Sequence, residues 1–154
     1  MIKKFEEFSK NYQVKSTAGI AVVYDNKILL VHPTNSSWVK PTLGIPKGIV
    51  EPGEDLIAAA IREFSEEVGI FLSGSQFDKE IHQIDMYNTL GKHTGVLSYI
   101  VYKISDLSEI GLTSLTVPKT QLQQEEVDWA GFIDIKEAYS KVTRSQLIIL
   151  DRLS

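Results

Sequence analysis

The sequence predicts a mixed α/β domain, a mixed β-sheet with helices packed around it. Three observations carry this reading. Apolar, β-rich runs come in pairs joined by turn-forming residues. One amphipathic helical segment separates the pairs. Two helix-start signals follow the last apolar run.

Ala18 to Tyr24 (AGIAVVY) and Ile28 to His32 (ILLVH) flank Asp25-Asn26-Lys27 and read as a hairpin. His32 to Pro41 is a polar loop with two prolines. Leu43 to Ile45 is expected as a short strand running into Pro46-Lys47-Gly48, with a turn over Ile49 to Gly53. A helix is expected from about Asp55 to Val68, closed by Gly69 in the left-handed region. After an irregular stretch, Phe71 to Glu80, a second hairpin has arms Ile81 to Tyr87 and Val96 to Ile104, turning at Leu90-Gly91-Lys92. Ser105 to Gln124 reads as a long loop with short pieces of structure, its Asp106 to Leu122 part placed to cover a substrate. Val127 to Ile133 is the last strand. Asp134-Ile135-Lys136-Glu137 and Thr143-Arg144-Ser145-Gln146 both have capping-box spacing, and each starts a helix, the second ending near Leu153.

The chain has 154 residues, which favours one domain over 1–154 and suffices for a core without staples. It has no cysteine, so disulfides and thiolate metal sites are excluded. No stretch approaches a membrane span, and the first residues, MIKKFEEFSKNYQVKS, lack the apolar run of a signal peptide. A cytoplasmic protein is the expectation. The net charge of -4 argues against gripping nucleic acid by bulk electrostatics. An anionic substrate would need a local cation, such as a bound metal.

The helix raises the chemical question. Ile57, Ile61, Phe64 and Val68 share one face, read as core. Glu63, Glu66 and Glu67 share another, with Leu56 and Ala59 one to two turns earlier. Acidic helix faces are usually only solvated, and Arg62 with Glu66 has the spacing of a surface pair. Yet like charges three and four apart repel, and carboxylates in a last turn oppose the helix dipole. A divalent-cation site explains the arrangement, since magnesium takes oxygen ligands from carboxylates and substrate phosphates.

Gly48, then Glu54, then Arg62-Glu63-Phe64-Ser65-Glu66-Glu67-Val68-Gly69-Ile70 resembles the Nudix box of the Nudix hydrolases, with every defining position filled. Phe64, where an aliphatic residue is commoner, is the one departure and falls on the core face. The resemblance implies a Nudix-type α/β/α sandwich and metal-dependent cleavage of a nucleoside diphosphate linked to a further group. Magnesium is the usual ion, with manganese as its substitute. The resemblance makes Glu66 and Glu67 the principal metal carboxylates and Glu63 a metal ligand or the base toward water. Arg62 orients these acids, Glu54 pairs with it, and Gly48 lets the backbone approach the metal. A further acid from outside the box is sought in Glu125-Glu126-Val127-Asp128, with Glu126 preferred; a merely charged loop competes.

Pro46-Lys47-Gly48 is similar to the corresponding stretch of dinucleoside polyphosphate and diphosphoinositol polyphosphate hydrolases, which offers Lys47 as a phosphate contact. Ala18-Gly19-Ile20, Leu30-Val31-His32-Pro33, Gly91-Lys92 and the stretch from Glu126 to Leu153 resemble small bacterial Nudix proteins described only as predicted NTP pyrophosphohydrolases. Trp38 and Tyr87 are candidates to stack on a base, with ordinary packing as the competitor. Lys92 is a further candidate substrate contact near a hairpin turn, where plain exposure competes. The expected substrate is a dinucleoside polyphosphate or nucleoside triphosphate. The alternatives are a non-catalytic nucleotide-binding or regulatory module, or a domain whose carboxylates are surface charge alone. Dimers are common in the family, so a homodimer is carried as an expectation that no residue here requires.

Overall fold

The computed structural model describes residues 15–40, 42–73, 77–78 and 80–154. The reading of the first residues as leaderless therefore falls outside the described residues, as do parts of the 32–41 loop and the 71–80 stretch. Strand β1 (Lys15–Tyr24) turns into β2 (Lys27–Pro33), followed by β3 (Lys47–Ile49), helix α1 (Leu56–Val68), β4 (His82–Tyr87), β5 (His93–Ile104), β6 (Val127–Asp134) and the helices α2 (Ile135–Ala138) and α3 (Leu147–Leu153). The β1–β2 turn puts Asp25 and Asn26 at φ 47° and 59°, the conformation a two-residue hairpin turn demands.

The sheet order is β4-β5-β1-β2-β6, with β3 added against β1. β1 runs parallel to β5 over its whole length, from Lys15↔Gly95 to Tyr24↔Ile104. Its other edge is forked. Near its end it pairs with β2 at Val23↔Ile28, and near its start with β3 at Thr17↔Ile49 and Gly19↔Lys47. β2 has by then peeled away to β6, joined to the strand-like Leu43-Gly44 only by the bridge Val31↔Gly44.

Each strand of the sheet centre is buried on both faces, which is why it reads as a continuous apolar run. Ile20, Val22, Leu29, Ile100 and Tyr102 face α1 through Ala60, Phe64 and Val68. Ala21, Ile28, Leu30, Tyr99 and Val101 face α2 and α3 through Ala138, Ile149 and Leu150. Helices on both faces make the α/β/α sandwich.

Four expectations are corrected. The strand after the first hairpin lies at Lys47–Ile49, where a turn was expected to begin, because Gly48 and Lys47 complete the edge of β1. Ala59 is fully buried, so the apolar face is wider than the wheel drew it. Asp134 caps only Lys136, and Thr143 makes no side-chain cap; the reciprocal capping box belongs to Asp106 and Glu109, around a short 3-10 turn. The 105–124 segment does not overhang the cleft. Its Ile110, Leu112, Val117 and Leu122 are plugged into the α1 core.

Candidate active site

Helix α1 starts at Asp55, whose carboxylate accepts the Ala58 N–H at 3.1 Å. It ends at Gly69, φ 73°, which donates its N–H to Ser65. These caps fix the register of the acids. Ala59, Glu63 and Glu67 are each four residues apart, and with Ala59 buried the two glutamates lie on the shoulder of the helix. Both are half-buried, whereas Glu66 is exposed. Glu67 was expected on the exposed face; packing against the β3 edge instead draws it inward.

Glu63 lies directly over Gly48, where an added Cβ would run into its carboxyl group. Burial raises the Glu63 carboxyl above the usual range, against the pull of Arg62. Glu67 accepts the backbone N–H of Lys47, yet its pKa is pushed up to about 8. Burial is the main cause, and the charges of Glu63 and Glu126 add to it while Lys47 opposes.

Arg62 occupies the middle of the acids. It donates to both oxygens of Glu54, at 2.7 and 2.9 Å, to Glu63 at 2.9 Å, to Glu66 at 3.3 Å and to the Ile49 carbonyl at 3.1 Å. Glu54 also accepts the Glu51 N–H at 3.1 Å. The fork-to-carboxylate pair ties the loop before α1 to the helix. It holds the Glu54 carboxyl down at about 2, the Arg62 hydrogen bond being the largest cause.

Two tests arise here. Gly48→Ala should fold, since the clashing atoms end a flexible side chain, but must displace the Glu63 carboxylate. Activity is expected to fall about 10²-fold, the scale of a misplaced group, with a nearly unchanged melting temperature. Wild-type activity in Gly48→Ala would break the link between Gly48 and Glu63. In Glu54→Gln the latch to Arg62 is lost. Because the folded pKa is depressed, its contribution is full above pH 4.5 and disappears as pH falls through about 2. Urea midpoints of the two proteins should differ at neutral pH and converge in acid; a constant gap would contradict the latch.

A cleft of ≈ 1280 Å³ opens in the fork between β2 and β3. Val31, Gly44, Ile45, Lys47, Glu67 and Glu126 line one part of it, and Asp85, Tyr87, Asn88, Arg144 and Gln146 another. The structure therefore brings Lys47, Glu67, Glu126 and Tyr87 to one cavity, with Glu63 and Gly48 adjoining. Glu126 is the member of its acidic run that reaches the cleft; Asp128 is occupied by His32 at 2.7 Å. Trp38 lies elsewhere, stacked on His32 with ring centroids 3.7 Å apart and edge-on to Trp129. Lys92 lies exposed at the hairpin turn, outside the cleft lining. Arg144 and Gln146 escaped the sequence reading, because Thr143 to Gln146 looked only like a helix start.

Residues 14–150 match the model of the NUDIX domain family. No curated protein matches the chain closely enough to count as a relative. Among solved structures the chain is similar to a MutT NUDIX hydrolase from Burkholderia pseudomallei, with TM-score 0.65 and 22% identity over 92% of this chain and 99% of that one. A C. elegans Ap4A hydrolase binary complex gives TM-score 0.60 and 24% identity over 90% and 93%. A bifunctional NMN adenylyltransferase/ADP ribose pyrophosphatase from Francisella tularensis, complexed with AMP and a manganese ion, gives 0.62 and 18% over 99% and 45%. At these identities the structural likeness speaks for the fold, and the family match, which spans nearly the whole chain, settles membership: the chain belongs to the NUDIX domain family.

Proposed function

We propose that this Nudix hydrolase cleaves a phosphoanhydride bond in a nucleoside diphosphate-linked substrate, a dinucleoside polyphosphate or nucleoside triphosphate, with magnesium, or manganese in its place. The observation that carries this is the convergence of Glu67, Lys47, Glu126 and Tyr87 on one cleft. The names of the C. elegans and Francisella proteins, with AMP and manganese in the latter, agree with a nucleotide and a divalent ion.

The residues fit such an ion. They offer only carboxylate oxygens, which suit a hard cation. Glu67 is a desolvated carboxylate facing other negative charge, a state that a cation would relieve. Among the described residues no three His, Cys, Asp or Glu side chains converge into a cage. Magnesium needs none, since one or two carboxylates with water and phosphate oxygens complete its shell. When bound, the ion supplies an acidified water and neutralises phosphate charge.

Glu66 and Glu67 would hold the ion, with Glu126 reaching it through the ion's water shell and the Gly48 backbone beside it. Glu63 serves as ligand or as base toward the attacking water. Arg62 keeps the acids apart and oriented, and Glu54 keeps Arg62 in place. Lys47 meets a phosphate as a point charge. Tyr87 offers a half-exposed ring for a base.

Phosphate and pyrophosphate release with magnesium, across nucleoside triphosphates, diadenosine polyphosphates, ADP-ribose and a nucleotide sugar, tests the reading. Turnover of one class, abolished by chelator, is the expected result. Tight nucleotide binding by the folded protein without turnover of any member would favour a regulatory module instead.

A further inference from the structure

The proposed substrate is anionic, and the cleft is rich in acids: Glu67, Glu126 and Asp85 all line it. Two cations answer them, Lys47 and Arg144. Lys47 already faces Glu67. Arg144 is different. Arg62 is saturated by carboxylates, and Arg152 donates to the Gln83 carbonyl and to the Tyr99 hydroxyl, each at 3.3 Å. Among the described residues, the Arg144 guanidinium has no hydrogen-bond or ion-pair partner.

Its backbone is nevertheless held firmly. Thr143 donates its N–H to the Leu43 carbonyl at 2.9 Å. The Ser145 hydroxyl accepts the Tyr87 N–H at 3.0 Å, fixing the turn to the β4–β5 hairpin. Gln146 is buried and accepts the Ile45 N–H at 2.9 Å, fixing it to the strand-like wall opposite. Arg144 is thus a rigidly rooted, uncommitted guanidinium set where two walls of the cleft are stitched together.

It also lies away from the chemistry. Glu63 and Glu67 come from α1, on one face of the sheet, while Arg144 precedes α3, on the other. A substrate reaching both must extend across the open end of the sheet. Arginine presents a planar fork that fits a phosphate bidentately.

Resting on the phosphohydrolase reading above, we infer that Arg144 determines specificity by binding a substrate phosphate beyond the scissile linkage. It selects extended polyphosphate chains over diphosphates whose far arm is uncharged. Such a contact, away from the reacting atoms, acts mainly through affinity.

Calorimetric titration of the magnesium-loaded protein with diadenosine tetraphosphate and with ADP-ribose tests this without requiring turnover. Arg144→Gln should weaken tetraphosphate binding about tenfold, the scale of one charged hydrogen-bonded contact, and ADP-ribose less than twofold. Arg144→Lys should restore part of the loss. In steady-state assays the loss should fall on KM, with kcat little changed. Equal weakening of both ligands, or unchanged tetraphosphate binding, would overturn the assignment. Wild-type protein that binds the tetraphosphate in an Arg144-dependent way but hydrolyses nothing would overturn the catalytic reading and leave this one standing.

Discussion

Glu67→Gln is expected to lower turnover by roughly 10²-fold or more, the scale of a lost acid–base or metal-positioning group, while the fold survives. Glutamine keeps the shape and can still accept the Lys47 N–H, so the position of the side chain is preserved. What it removes is a half-buried carboxyl group whose ionisation is opposed by burial and by the charges of Glu63 and Glu126. Without metal the folded state must either take up a proton at Glu67 or carry a charge that burial disfavours and its neighbours repel, and either costs stability at neutral pH. The variant should therefore melt at the same temperature as wild type, or higher, in metal-free buffer. Millimolar magnesium should raise the melting temperature of wild type and raise that of Glu67→Gln less, since a ligand that binds only the folded state stabilises it. The combination is diagnostic. A stable protein with its metal response and its turnover both diminished has lost a ligand. A folded Glu67→Gln protein with near-normal activity would remove Glu67 from the site.

Phe64→Ala should cost about 3–5 kcal/mol of stability, the range for truncating a buried phenylalanine. Phe64 has 0% of its surface exposed and packs beneath the acids, among Ile20, Val22, Val68 and Ile100. The ring stands where the family more often has an aliphatic side chain, and this core is built around its volume. Chemical denaturation measures the loss. A cost below about 1 kcal/mol would mean that the neighbouring side chains close the cavity. Because Phe64 follows Glu63 directly, any surviving fold should also show reduced activity.

Most of this arrangement was legible in the chain because it is local. The carboxylate spacing on α1, its closure at Gly69, and the paired strands are all properties of short segments. The misplaced features depend on partners far along the chain. Lys47-Gly48-Ile49 has no strand signature of its own and becomes a strand only because the edge of β1 offers it hydrogen bonds. Ala59 looked solvent-facing because the wheel centred the core on Ile61, whereas the sheet covers a broader arc. Trp38 looked like a ring for a base until the fold set His32 against it. Arg144 carried no local signal at all. Its meaning comes from Leu43, Ile45 and Tyr87, which the fold gathers around its turn.

The parallel β1–β5 ladder carries a further consequence, for the route by which the molecule assembles. Lys15 pairs with Gly95 and Tyr24 with Ile104, so every rung joins residues 80 positions apart. The loop so closed contains β2, β3, all of α1 and β4. Its closure entropy must be met before any rung forms, which places the chain among slow folders of high contact order. Helix α1 can form early on local signals. Its glutamates, however, acquire Lys47 and Gly48 as neighbours only when β3 docks on β1, and Glu126 only when the chain beyond the ladder has folded. Catalytic competence should therefore return late in refolding, after helical signal has largely recovered.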